Sequence, residues 1–202
     1  MAYIGMRTAK FWPITASRTD GSPITYGNPV LIGPAVSANV TFDIADNPDY
    51  GDDVEVNNDK GINGYSISLE TTEISKEARA ACLGWVPKSS GSPAAVTHYE
   101  ITDDPAPKGG FSYIRVGLPK NSSERIYEAF FFHALQFSDG NESASTKQRQ
   151  ITWNHPTMDG SGLGVYIDNS GKAKYFNWME FTTEAAATAW INSQAGYTPP
   201  SP

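Results

Sequence analysis

Residues 36–44 read VSANVTFDI, and this stretch decides the fold class. Its apolar residues alternate strictly with Ser, Asn, Thr and Asp, which is the pattern of a strand with one buried face. A second alternating run, Tyr65–Glu70, follows a polar segment at 45–64. Ser75 is placed to cap a short helix that Gly84 ends. The order predicts two paired strands joined by a long polar connection and followed by a helix near 75–84.

The composition indicates the same class for the whole chain. The 202 residues include five Trp, ten Tyr and nine Phe, and strands favour aromatic side chains. Eighteen Gly and fourteen Pro supply turns. We therefore predict one mainly β domain over 1–202, a β-sandwich or barrel-like fold. A second helix is expected near 183–194, capped by Thr182 or Thr183, with a flexible C-terminal end at 196–202.

The segment at 45–64 is the most acidic part of the sequence. A short strand at 53–56 would make part of it a hairpin arm. Its carboxylates do not follow the spacing of a calcium-binding EF-hand, so a charged surface facing solvent or a partner is favoured over an ion site. We predict that it is a self-assembly loop, and its candidate residues are Asp46, Asp49, Tyr50, Asp52, Asp53, Glu55 and Asp59.

The run Arg125–Phe137 is the longest strand candidate, and it is apolar on both faces. Strict alternation places Tyr127, Phe131, Leu135 and Phe137 on one face, and Ile126, Phe130, Phe132 and Ala134 on the other. Such a strand is either central and covered on both sides, or covered by a neighbouring chain. The candidates for this inter-subunit or core strand are Phe130, Phe131, Phe132 and Leu135.

The sequence carries no motif for catalysis, a metal or a cofactor, and we predict none of these. Its three histidines lie on separate segments without a second ligand at metal-site spacing, and the glycines at 160–164 are interpreted as a turn. Cys82 is the single cysteine and is interpreted as a small buried apolar side chain. A flexible connection is expected at 87–93. The N-terminus lacks the pattern of a signal peptide, and no apolar run reaches the roughly 18 residues that span a bilayer.

A set of fragments in fixed order resembles one protein family. The fragments are Tyr26-Gly27 with Pro29-Val30 and the first alternating strand, then Ala45-Asp46-Asn47, ISLETTEISKEARAACLG at 67–84, RIYEAFFFHALQFS at 125–138, TKQRQITWNHPTMDG at 146–160, and the helix after Phe181-Thr182-Thr183. Together they resemble the major tail proteins that form the tail tube of long-tailed, non-contractile bacteriophages. They span nearly the whole chain, and their order and spacing carry the resemblance.

The resemblance implies a structural virion protein of the phage tail, assembled in the host cytoplasm and without catalytic residues. It implies a sandwich or barrel-like core with a flanking helix, and copies of the chain that form rings, as hexamers, and stack into a tube. Other tail proteins, such as the tape measure and terminator proteins, are the implied further partners. DNA passes through the lumen during ejection into the host without specific binding, and no membrane is involved.

The net charge of −7 suits this function, because phosphate binding needs clustered Lys and Arg. We hypothesise that part of this negative charge faces the lumen and lets DNA slide. The alternative is a carbohydrate-binding β-sandwich module or a virion decoration protein, which would use exposed Trp or Tyr. A hydrolase with a pair of carboxylates is a third class, and the sequence gives no specific support for it.

Overall fold

The computed structural model of the protein describes residues 2–16, 24–51, 54–91, 95–120, 123–139, 155–167 and 171–200, and for 48–51, 54–59, 95 and 97 it describes the backbone alone. The strands are β1 (Ala2–Ala16), β2 (Thr25–Tyr26), β3 (Val30–Leu31), β4 (Ala35–Gly51), β5 (Val54–Thr71), β6 (Val86–Ser90), β7 (Ala95–Glu100), β8 (Lys108–Leu118), β9 (Ile126–Asp139), β10 (Thr157–Gly162) and β11 (Phe176–Phe181). The helices are α1 (Lys76–Leu83) and α2 (Glu184–Gln194). This confirms the prediction of a mainly β fold with one short helix and one C-terminal helix.

Nine of these strands form one antiparallel sheet, whose path runs β2-β1-β8-β9-β10-β5-β4. In addition, β3 pairs with β1 and β11 pairs with β9. The central strand is β9, which pairs with β8 along one side. Along its other side it pairs first with β11, over Tyr127–Phe132, and then with β10, over Leu135–Asp139.

A separate hairpin of β6 and β7 stands outside the main sheet. The prediction of a flexible connection at 87–93 is wrong over the residues that the structure describes there, since Val86–Ser90 pairs with Ala95–Glu100. Sequence patterning failed because all five residues of β6 are exposed, so no buried face marks the strand.

Both helices begin at the side chains predicted to cap them. Ser75 accepts a hydrogen bond from the backbone N–H of Ala78 at 3.1 Å, and Gly84 ends α1 in the left-handed region at φ 76°. Thr183 likewise accepts from the N–H of Ala186 at 3.3 Å to start α2.

The sheet has an apolar cluster on each of its two sides. The first packs against α1 and contains Ala9, Phe11, Ile32, Tyr65, Ile67, Leu69, Ala78, Cys82, Phe111, Tyr113, Phe132, Leu135, Phe137 and Met158. The second lies between the opposite side of the sheet and α2, and contains Trp12, Ile114, Ala129, Phe131, Ala187, Ile191 and Ala195. Each helix therefore covers one side of the same sheet.

A β-bulge at 133–134 changes which residues of β9 share a face. The register advances three residues along β9, from Phe132 to Leu135, while it advances two along β8. The extra residue returns Leu135 to the side of Phe132, and both belong to the first cluster. The predicted placement of Leu135 and Phe137 on the face of Phe131 is wrong, because both belong to the first cluster and strict alternation holds only while the register is unbroken.

Two tyrosines, Tyr65 buried and Tyr26 half-buried, provide hydrogen bonds to the backbone at the bulge. Tyr26 Oη donates to the carbonyl of His133 at 2.8 Å, and Tyr65 Oη donates to the carbonyl of Ala134 at 2.7 Å. The N–H of His133 donates to the carbonyl of Tyr175 at 3.1 Å. Burial raises the pKa of Tyr26 and of Tyr65, so both keep the proton that they donate.

The interpretation of the glycines at 160–164 as a turn is wrong, because Gly160 and Gly162 lie in β10. A Cβ atom at Gly160 would lie 2.6 Å from the side chain of Leu135, and one at Gly162 would lie 2.2 Å from the ring of Tyr65. Glycine is needed in this strand because neighbouring side chains cross directly over its backbone.

Candidate self-assembly surfaces

The segment predicted as an assembly loop is a hairpin that extends beyond the main sheet. The ladder between β5 and β10 ends at Tyr65 and Gly162. From the Ile44–Ile62 pair to the Gly51–Val54 pair, β4 and β5 have only each other as strand partners among the described residues. We call residues 44–62 the arm. About nine residues per strand give it a reach of roughly 30 Å.

The arm holds six carboxylates and one lysine, a net charge of −5 out of −7 for the whole chain. Asp46 is exposed and pairs with Lys60 at 2.9 Å, an ion pair of the surface kind that adds little stability. The backbones of Asp49, Tyr50, Glu55 and Asp59 lie in the two strands, whereas Asp52 and Asp53 lie outside the described residues.

The candidates on β9 are mostly core residues of their own chain. Phe131 is fully buried beneath α2, and Phe132 and Leu135 are 1% and 2% exposed in the cluster on the other side. The sequence left two possibilities for this strand. For Phe131, Phe132 and Leu135 the first one holds, because β9 is a central strand covered on both sides. Phe130 is half-buried and packs at the margin of the first cluster.

Four strands, β1, β8, β9 and β11, form a part of the sheet that has an open edge on each side. At one edge, Ala2–Thr8 of β1 pairs with β8 alone among the described residues, and at the other β11 pairs with β9 alone. Each edge carries large exposed apolar side chains, and these are Tyr3 and Ile4 on β1, and Trp178 and Met179 on β11. An exposed apolar strand edge is a template for pairing with another chain.

A buried carboxylate, an arginine and aromatic rings connect the strands between these two edges. Arg115 lies 3.8 Å from the ring centroid of Tyr3 and 5.0 Å from that of Phe130. Its Nε donates to Oε2 of Glu128 at 2.6 Å, and the side chain of Glu128 is only 3% exposed. The ring of Phe130 also lies 6.4 Å from that of the exposed Trp178. The contacts link both open edges to the strands between them.

A groove lies beside the bulge of β9. It consists of two cavities of about 410 and 340 Å³ that share Lys108, Ala134, Gly164 and Val165. The remaining wall residues are Ile14, Ile24, Leu135, Gln136, Ser161, Gly162, Leu163 and Tyr166. Lys174 pairs with Val165 of the wall through two backbone hydrogen bonds of 2.8 and 2.9 Å. We call this site the lysine groove.

Ser37, Glu70 and His155 form a cluster that is not arranged as a nucleophilic site. Glu70 accepts from Ser37 Oγ at 3.0 Å and lies 3.0 Å from Nδ1 of His155. The carboxylate thus stands between the hydroxyl and the imidazole, so the imidazole is not placed to take the hydroxyl proton. Burial raises the pKa of Cys82, as expected of a structural thiol. No group of three or more His, Cys, Asp or Glu in the described part of the chain could hold a metal ion.

Sequence reasoning missed the open edge of β11 and the lysine groove. The sequence did contain a sign of this edge strand. Trp178 and Met179 are adjacent in a strand, so their large apolar side chains must point to opposite faces. The groove had none, because its walls come from segments far apart in the sequence. Neither helix in the described residues has the length and apolar character to cross a membrane. No family model and no curated protein matches this chain.

Proposed function

We propose that this chain is a structural subunit that polymerises into stacked rings, forming the tail tube of a long-tailed, non-contractile phage. The observation that carries the proposal is the pair of open apolar edges on β1 and β11. A lone chain leaves both edges as sites for aggregation, whereas a ring of copies pairs every one of them.

The directions of the strands favour closure between copies in the same orientation. Successive strands β1, β8, β9 and β11 are all antiparallel neighbours, so β1 and β11 run in opposite directions. A second copy that places its β1 beside β11 therefore continues the antiparallel alternation. The same step, repeated around an axis, gives a head-to-tail ring, for which we propose six copies.

The arm supports contacts beyond a single ring. It extends roughly 30 Å past the end of β10, far enough to reach another subunit. Its carboxylates account for most of the negative charge, and the other 183 residues carry only −2. Such a chain lacks the excess of cations that grips phosphate, so in this proposal DNA moves through the lumen without specific binding. Tape measure and terminator proteins are the further partners that a tail tube requires.

One observation favours a carbohydrate-binding module as the second candidate. Trp178 and Tyr3 are about half exposed and lie on either side of Arg115 and Phe130, and sugars stack on exposed aromatic rings. Such a module binds as a monomer and is retained on a polysaccharide column. Replacing Trp178 with alanine would then abolish retention without changing the molecular mass in solution.

The tail-tube proposal is tested by placing lysines on the open edge. Purified protein at rising concentration is followed by size-exclusion chromatography with light scattering and by negative-stain microscopy. Wild type should form rings or tubes. The variant Trp178→Lys with Met179→Lys should remain a folded monomer, because lysine on a strand edge opposes edge-to-edge pairing.

The matched control is Ile101→Lys, which changes an exposed apolar residue outside both open edges. This variant should assemble like wild type. A wild-type protein that stays monomeric at every concentration, or an edge variant that assembles as wild type does, contradicts the proposal.

A further inference from the structure

We infer that two β-bulges in β1 limit self-assembly, because they shorten the hydrogen-bond ladder that this open edge can offer to a second copy of the chain. The inference rests on the proposed function, in which β1 pairs with β11 of a neighbouring subunit. It adds a regulatory element to that pairing: free copies stay apart at low concentration because one of the two edges is interrupted.

The first bulge lies in the half of β1 that pairs with β8 alone among the described residues. Tyr3 pairs with Gly117 and Gly5 pairs with Val116, so Ile4 is an extra residue on β1. Such an extra residue on one strand of an antiparallel pair increases the local twist and disrupts the ladder.

The second bulge contains a residue with an unusual backbone conformation. Between Arg7 and Lys10 the register advances three residues along β1 and two along β8. Thr8 and Ala9 therefore share one position in the ladder. Thr8 has φ 59°, and it is the only residue other than glycine with a positive φ in the described part of the chain. In bulges of this kind the left-handed position is normally occupied by glycine, and a β-branched side chain is strained there.

A bulge interrupts the row of hydrogen-bonding groups that an edge strand presents outwards. Along a regular strand these groups point outwards at every second residue, and an extra residue shifts that phase. Between the two bulges of β1 only Gly5–Arg7 forms a regular run. The proposed partner strand, β11, pairs with β9 from Phe176 to Phe181 without a shift of register. It has no bulge to match those of β1, so it can pair with only one regular run of β1 at a time.

Side-chain contacts on both sides of the sheet stabilise the bulged segment in the free chain. Arg7, beside the second bulge, donates from Nη1 to Oε2 of Glu184 on α2 at 2.6 Å. The ring of Tyr3, beside the first bulge, lies 3.8 Å from Cζ of Arg115 on β8. The interrupted edge is therefore part of the packed monomer.

The test removes the second bulge by deleting Thr8 from the full-length protein. Arg7 can then still pair with Ile114, and Ala9 takes the position opposite Tyr113, so the edge becomes regular and the rest of the register is kept. We call the lowest concentration at which assemblies sediment the threshold. The deletion should lower the threshold about tenfold, because each contact between copies gains about two backbone hydrogen bonds.

Deletion of Ile4 removes the first bulge and is the second test. Ile4 is 52% exposed, so its loss leaves both apolar clusters intact. The threshold should fall again, although the deletion removes an apolar side chain from the edge. If Ile4 acted only through hydrophobic contact with a second copy, the threshold would rise instead.

Two controls separate the bulges from other effects. Thr8→Gly keeps the second bulge and removes its strain, so the monomer should be at least as stable as wild type and the threshold should not change. Deletion of Thr102, an exposed residue between β7 and β8, removes the same type of residue outside both open edges and should leave the threshold unchanged.

Far-UV circular dichroism shows which variants are folded, and each folded deletion variant of β1 must have a lower threshold than wild type. If the threshold stays at the wild-type value in these variants, or if Thr8→Gly lowers it as much as deletion of Thr8 does, the inference is overturned while assembly of the wild type still supports the proposed function. If wild type and both deletion variants remain monomeric at every concentration, the inference and the proposed function are both overturned.

Discussion

The hydrogen bond from Tyr65 to the bulge of β9 allows a quantitative test of the fold. Tyr65 is 3% exposed, and its hydroxyl donates at 2.7 Å to the carbonyl of Ala134. Tyr65→Phe removes a single oxygen and leaves the ring in the first cluster. The carbonyl of Ala134 then loses its side-chain donor, so the cost is that of an unsatisfied acceptor rather than of a cavity.

Leaving a buried acceptor unsatisfied costs about 1–3 kcal/mol, and because this carbonyl is only part-buried we expect a loss at the lower end, about 1 kcal/mol in the free energy of unfolding. For a chain of this length, that corresponds to a fall of about 2–4 °C in Tm. The assay is urea unfolding followed by tryptophan fluorescence, with an unchanged m value showing that the unfolded state is unaffected.

Tyr166→Phe is the matched control, because Tyr166 is 53% exposed and its hydroxyl remains accessible to water. This variant should change the free energy of unfolding by less than about 0.5 kcal/mol. If the two variants prove equally stable, the buried hydrogen bond at the bulge does not stabilise the fold as argued.

Four further predictions concern pH, charge and the arm. Burial raises the pKa of Tyr113 to about 12, against about 10 in the unfolded chain. The native state therefore binds more protons between about pH 10 and 12, and the free energy of unfolding falls as the pH rises through this range. Absorbance at 295 nm during an alkaline titration should show this late ionisation. Burial lowers the pKa of His133, so the unfolded chain binds more protons below about pH 6.5. The free energy of unfolding should therefore fall on acidification. His133→Gln should flatten this pH dependence in urea melts recorded from pH 7 to 5. Arg115→Met should cost about 3 kcal/mol in the same melts because it leaves the carboxylate of Glu128 buried and unpaired, whereas changing both residues to Met should recover part of the loss. Deletion of Asp49–Asp59 should leave a soluble, folded monomer by light scattering that forms no tubes, and normal tubes would show that the arm has no role in assembly.

The sequence predicted those elements whose physical cause is local. Ser75, Gly84 and Thr183 set the ends of the helices through caps that depend on one residue and its neighbours. The strand at 36–44 was recognisable because one of its faces is apolar. The acidic arm was recognisable by charge, although its two strands were predicted only in part, since a hairpin exposed on both faces lacks a buried pattern.

The remaining features depend on contacts between distant segments. The bulge of β9 is stabilised by Tyr26 and Tyr65, which lie more than 60 residues away along the chain, so alternation within β9 did not reveal it. The coverage of Phe131 comes from α2, which begins about 50 residues later in the sequence. The open edges of β1 and β11 can be recognised only once the strand order is known. The periodicity of a single strand does not determine that order.

The most direct measurement of the central claim is amide hydrogen exchange, comparing assembled protein with the monomeric form. If copies join through these two strand edges, the amides of both Ala2–Thr8 and Phe176–Phe181 become protected in the assembly, while protection inside β9 stays as in the monomer. Assemblies in which both segments exchange as fast as in the monomer would contradict the account, because the copies would then be held together by some other surface.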